Sequence, residues 1–176
     1  METVTAIDSV KPKSEVYRQI CEALQALLGE ETSFVANAAN TVALLFHSLQ
    51  DVNWAGFYMA QGEELVLGPF QGKPACARIP FGKGVCGTAA AEQRTIVVPD
   101  VDSFPGHIVC DAASKSEIVV PLLNWGNLVG VLDIDSANPN RFDEEDCEGI
   151  ESIVSVFLAS LATEDLPDLS DSGAEA

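Results

Sequence analysis

The sequence predicts one α+β domain with a largely antiparallel sheet, on three observations. Helical periodicity opens the chain twice and closes it once, two apolar hairpins lie between, and the strands meet through short turns rather than long crossovers. At 176 residues the chain can bury one sizeable core but not two comfortable ones.

The elements follow in order. Residues 1–13 are polar and read as a frayed tail. From Ser14, a candidate N-cap, Tyr17, Ile20, Leu24, Leu27 and Leu28 recur at helical spacing up to Gly29, which stops the helix. A second helix is expected over about Thr32–Leu49, with Phe34, Val42, Leu45, Phe46 and Leu49 along one stripe. Val52–Ala60 is aromatic and β-prone, and Gln61-Gly62 turns it into Glu64–Phe70, which makes a hairpin. Gln71–Asp111 is rich in Gly and Pro and reads as irregular backbone, with one short helix over Val85–Glu92 and a short strand at Thr95–Val98. A loop region of that length inside a compact domain is usually functional. Glu117–Leu123 and Leu128–Ile134 form a second apolar strand pair around Asn124–Asn127. A last helix is expected over Asp143–Leu161, its acidic first turn suited to the positive end of the helix dipole. Residues 163–176 carry five acids and no base, the composition of a disordered tail.

Nine basic against 27 acidic residues give a net charge of −18, which repels phosphate backbones and anionic lipid. Nucleic-acid and membrane-surface binding are therefore not expected. No apolar run spans a bilayer, and the first residues have no signal-peptide character, so the cytosol is the expected compartment. The odd count of five cysteines argues against a complete disulfide framework and for free thiols.

Four groups of residues invite chemistry. Gly82-Lys-Gly-Val-Cys-Gly87 fits G-x-G-x-x-G, but Pro80 interrupts the approach and the helix that follows is short, so the glycines are better read as a loop that brings Cys86 near a pocket. Cys76, Cys86, His107 and Cys110 are a possible zinc set, yet only His107 and Cys110 are closely spaced, and no metal is expected. The same three cysteines suit thiol redox chemistry, with Cys110 in a segment (HIVCDAAS) able to open a short helix that would lower its pKa. The bland alternative is three small buried hydrophobes, the role assigned to Cys21 and Cys147. Finally, Asp133 and Asp135 flank Ile134 and share one sheet face, Glu117 opens the neighbouring strand, and Trp54 and Tyr58 share a face of the first strand. Close carboxylates retain a proton, although solvated strand ends are an equally ordinary reading.

The run Gly68-Pro-Phe-Gln-Gly-Lys-Pro-Ala-Cys76, then Ile79-Pro-Phe-Gly-Lys-Gly-Val-Cys86-Gly-Thr, then Phe104-Pro-Gly-His-Ile-Val-Cys110-Asp-Ala-Ala-Ser114, resembles the GAF-domain free methionine-(R)-sulfoxide reductases. Ser116-Glu-Ile-Val-Val-Pro121, Gly130-Val-Leu-Asp133-Ile-Asp135-Ser and Phe142-Asp-Glu-Glu-Asp146 are similar to that family too, so the likeness spans about residues 14–162. The resemblance implies a GAF domain with a six-stranded antiparallel sheet and helices packed against it. It implies Cys110 as the nucleophile, Cys76 as the resolving cysteine and Cys86 as an accessory relay. It also implies Glu117, Asp133 and Asp135 around the substrate's polar atoms, with Trp54 and Tyr58 around its methyl-thioether end. No cofactor is required, thioredoxin is the implied reductant, and a homodimer is the implied assembly. The alternative from another class is a non-catalytic GAF domain that senses a small metabolite or oxidation.

Overall fold

The computed structural model describes residues 7, 11–106, 108 and 113–162. The elements run α1 (Lys13–Leu28), α2 (Phe34–Ser48), β1 (Trp54–Gln61), β2 (Glu64–Gln71), β3 (Arg78–Pro80), α3 (Gly84–Glu92), β4 (Ile96–Val98), a 3₁₀ turn (Val101–Ser103), β5 (Ser116–Asn124), β6 (Asn127–Ser136) and α4 (Glu144–Ala159). The six strands form one sheet in the order β3-β2-β1-β6-β5-β4, and every neighbouring pair is antiparallel. The expected class and both hairpins are therefore present.

Period-two alternation divides the central strands between two faces. Phe57 on β1, Ile118, Val120 and Leu122 on β5, and Leu132 and Ile134 on β6 join a core with Ile20 and Leu24 of α1, Leu45 of α2 and Phe157 of α4. Phe57 and Phe157 stack across this layer, with ring centroids 4.7 Å apart. The opposite face carries Trp54, Tyr58, Val119 and Val131, covered by Val85, Cys86 and Ala89 of α3 and by Ile79 of β3. The sheet is thus buried on both sides, and α3 with its flanking loops covers the face that holds the polar residues.

Several boundaries differ from expectation. Pro12, not Ser14, occupies the N-cap of α1. Lys13 is the first helical residue and its Nζ reaches Asp143 at 2.7 Å and Asp146 at 2.5 Å on α4, a tie the local sequence does not reveal. Ser33 caps α2, which begins after Thr32, and α4 ends at Ala159 rather than Leu161. The Gly/Pro-rich middle holds β3 and a 3₁₀ turn in addition to the expected helix and strand. The expected tails, apart from residues 7 and 11–13, and the segment around Cys110, apart from 108, 113 and 114, lie outside the described residues.

At the start of α4 the Asp143 side chain accepts from the Asp146 amide and the Asp146 side chain accepts from the Asp143 amide, a reciprocal capping box. Asp146 is fully buried and also accepts from Tyr17 Oη at 2.7 Å and Arg141 Nη1 at 3.0 Å. This one carboxylate pins α1, α4 and the β6–α4 connection together. Gly149 allows the approach, since a Cβ there would fall 2.2 Å from the Tyr17 ring.

Candidate active site

Strand register assembles the site. Trp54 pairs with Asp135, and Asp135 pairs with Glu117, so these three side chains form one row across β1, β6 and β5. Gly56, Asp133 and Val119 form the next row, and Tyr58 pairs with Val131 in the third. A slip of one residue would turn the whole set to the helical core. Gly56 leaves space for an aromatic neighbour: a Cβ there would sit 2.3 Å from the Trp54 ring.

All five of the expected substrate-contacting residues line one pocket: Trp54, Tyr58, Glu117, Asp133 and Asp135. Its aromatic wall is preorganised. Trp54 stacks on Tyr58 at 6.0 Å and on Phe70 at 5.6 Å, while its indole N–H donates to the Lys73 carbonyl at 3.0 Å. The Tyr58 hydroxyl donates to the Cys76 carbonyl at 3.0 Å, which ties the wall to the loop carrying that cysteine.

Cys86 completes the pocket from the first turn of α3. The turn preceding it is closed by Gly82 N–H donating to the Gly87 carbonyl at 2.7 Å, with Gly82 and Gly84 both at positive φ. That is the loop-shaping role expected of the three glycines, and no parallel βαβ unit surrounds it. The Cys86 thiol donates to Glu117 Oε1 at 3.8 Å, and the donor atoms of Cys86, Glu117 and Asp133 all lie within 4.8 Å of one another. This trio is where a cation would sit among the described residues, although one thiol and two carboxyls make a mixed soft and hard set.

Electrostatics instead favours shared protons. Burial, and then the charges of Asp133 and Asp135, hold Glu117 well above the usual carboxylate range. Burial raises Asp133 to about 7, opposed by hydrogen bonds from Cys86 and Glu117. Both carboxyls are raised and hydrogen-bonded to each other, so the pair retains a proton between Glu117 and Asp133. Asp133 Oδ1 is buried without a hydrogen-bond partner among the described residues. Burial, followed by the same carboxylates, also pushes the Cys86 thiol far up.

Cys76 is disulfide-bonded and half-buried beside the pocket-side core, which removes it from any zinc set in this state. Cys21, Cys86 and Cys147 are free thiols. Cys110 and His107 lie outside the described residues. Lys83, Ile108 and Ser114 also line the pocket and were not expected there. For Lys83 the available signal was a cation inside the glycine-rich loop; Ser114 gave none.

A site of buried carboxyls, thiols and an aromatic wall on a six-stranded antiparallel sheet is that of a small-molecule GAF domain, and the chain belongs to the GAF domain family, whose model matches residues 14–160. It is 52% identical over 153 residues to the free methionine-R-sulfoxide reductase of Escherichia coli, covering 87% of this chain and 93% of that one. It is 59% identical over 152 residues to protein YtsP of Bacillus subtilis, covering 85% and 93%. The structure of free methionine-R-sulfoxide reductase from Neisseria meningitidis in complex with its substrate superposes with a TM-score of 0.85 at 42% identity, covering 90% and 95%. Within the GAF domains this chain is a member of the free methionine-R-sulfoxide reductase family.

Proposed function

We propose that this protein reduces free L-methionine-(R)-sulfoxide, with Cys110 as nucleophile, Cys76 as resolving thiol and the buried carboxyls as proton source. The observation that carries the reading is the coupled pair Glu117 and Asp133 beside an aromatic wall, a neutral acid next to a site for a methyl-thioether. The Cys110 thiolate attacks the sulfoxide sulfur while the Glu117 proton passes to the departing oxygen. The protonated oxygen then passes to the Cys110 sulfur as the transient sulfur–sulfur bond to the substrate breaks, so methionine leaves with its sulfur reduced by two electrons and Cys110 is oxidised by two to a sulfenic acid. The Cys76 thiol then displaces water from it and a Cys76–Cys110 disulfide forms. That Cys76 is disulfide-bonded, while Cys21, Cys86 and Cys147 are free, supports its role as the resolving partner.

Cys86 is the accessory thiol. Held protonated against Glu117, it does not compete with Cys110 for the sulfoxide, and it relays the disulfide outward once it loses its proton. Thioredoxin restores the dithiol, and the enzyme works in the cytosol as a homodimer. Among the described residues, no helix is long and apolar enough to cross a membrane.

The test is thioredoxin-coupled turnover of the free (R)-sulfoxide, compared with the N-acetylated sulfoxide. Cys110→Ser abolishes reduction, whereas Cys76→Ser releases about one methionine per chain and then stalls. Steady turnover by Cys110→Ser would move the nucleophile elsewhere.

A further inference from the structure

We propose that Cys86, Glu117 and Asp133 form a binding site for a borderline divalent cation of the zinc class, and, resting on the reading above, that the bound ion switches the reductase off.

Sheet register and α3 bring the three ligands together. Glu117 on β5 and Asp133 on β6 are diagonal neighbours on the face beneath α3, since Glu117 pairs with Asp135 and Val119 with Asp133. Cys86 meets them from the first turn of α3. One ligand atom from each residue lies within 4.8 Å of the other two, and all three residues are buried. Cys86 Sγ stands 3.8 Å from Glu117 Oε1. On a tetrahedral zinc, with Zn–S about 2.3 Å and Zn–O about 2.0 Å, a sulfur and an oxygen ligand stand about 3.5 Å apart. The terminal carboxyl torsions are soft and close the remaining gaps.

The donor set selects the ion. A thiolate disfavours magnesium and calcium, which take oxygen ligands throughout, and suits zinc or cobalt, for which two carboxylates are ordinary companions. Three protein ligands leave a fourth position, the arrangement of an open zinc site rather than a closed one. Asp133 gives the independent sign of a ligand. Its Oδ1 is buried, belongs to a residue lining this pocket, and has no hydrogen-bond partner among the described residues. A buried acceptor without a donor is unfavourable, and a cation bonded to it removes that penalty. Asp135 lines the same cleft and adds to the negative field that draws a cation in.

Binding exchanges protons for metal. The thiol and the carboxyls release theirs to solvent and coordinate as anions, and no electron moves. The ion thereby takes up both the acid that protonates the departing oxygen and the thiol that relays the disulfide. Loss of the ion restores both, so the block is reversible, unlike oxidation of a thiol to a sulfinic acid.

The experiment uses the reduced full-length protein. Titration with cobalt(II) gives a cobalt–thiolate charge-transfer band that saturates at one equivalent, and a large excess of magnesium does not displace it. The double variant Cys76→Ser/Cys110→Ser keeps the band, which excludes a site built from those cysteines with His107. Cys86→Ser loses the band and weakens binding by at least about 100-fold, and Asp133→Asn weakens it by about 10-fold or more, since even partners outside the ligand set are worth about 10- to 100-fold. In the second arm, one equivalent of zinc stops the single-turnover release of methionine, which needs no thioredoxin, and a chelator restores it. Release by Cys86→Ser, measured against its own metal-free rate, is insensitive to the same zinc. Absence of the band in wild type, a band that survives Cys86→Ser, or zinc inhibition that persists in that variant overturns the site. If metal-free wild type releases no methionine, the proposed activity falls instead, while the cobalt titration still decides whether the ion binds.

Discussion

Two buried acidic clusters, one at the start of α4 and one beneath α3, are opposites in their partners. Asp146 is fully buried and surrounded by donors: Lys13, Arg141, Tyr17 and the Asp143 amide. Glu117 and Asp133 are as deeply placed, but their neighbours are Asp135, Cys86 and each other. A carboxylate given cations ties elements together. A carboxylate given other acids keeps its proton, and a kept proton is a reagent. The difference separates an acid that ties elements together from one that keeps a proton more clearly than burial does.

The largest effect that sharpens this contrast is on turnover. Glu117→Gln keeps size but removes the transferable proton, and is expected to lower kcat by about 10²- to 10⁴-fold, with stability within about 1 kcal/mol of wild type. Asp146→Asn gives the reverse. It removes the buried charge that Lys13 and Arg141 share and lowers stability by about 3 kcal/mol, or roughly 6–12 °C in Tm, with unchanged kcat per folded molecule. Steady-state kinetics and thermal melts on both variants decide this, and matching phenotypes would erase the distinction.

A smaller effect lies in pH dependence. Asp133 is raised from 3.8 to about 7 by burial, so the folded state binds its proton more tightly than the unfolded chain. Its stabilising contribution is complete below the lower value and is lost as pH rises to about 7. Asp133→Asn flattens that part of the stability profile, as denaturant titrations at several pH values would report.

Legibility from sequence tracks the distance over which each feature is set. The row Trp54, Asp135, Glu117 follows from period-two alternation, and its residues face together because β1, β6 and β5 pair in register. β3 was missed because Arg78–Pro80 is too short for any pattern; only pairing to Glu64–Val66 makes it a strand. The start of α1 was misplaced because Lys13 is drawn into the helix by acids 130 and 133 positions away. The roles proposed for Cys76 and Cys110 rest on the family resemblance, since spacing alone leaves zinc, redox and packing open.

The smallest expected effect concerns the cysteines outside the site. Burial raises the thiols of both Cys21 and Cys147, the latter to about 11, and neither lines the pocket. Serine at both positions should leave turnover within about twofold, since only a thiolate placed to attack contributes to rate. A larger loss would extend the catalytic region to the helical side of the sheet.

The hydrogen bond from Cys86 to Glu117 bears on survival as well as catalysis. Methionine sulfoxide accumulates where peroxide does, and peroxide consumes thiolates rather than thiols. A thiol kept neutral by burial and by surrounding acids presents almost no thiolate to oxidant in the resting enzyme. In the proposed mechanism the accessory cysteine is thereby shielded from irreversible overoxidation, and the carboxyls that supply the proton also preserve a reducible sulfur for the next cycle.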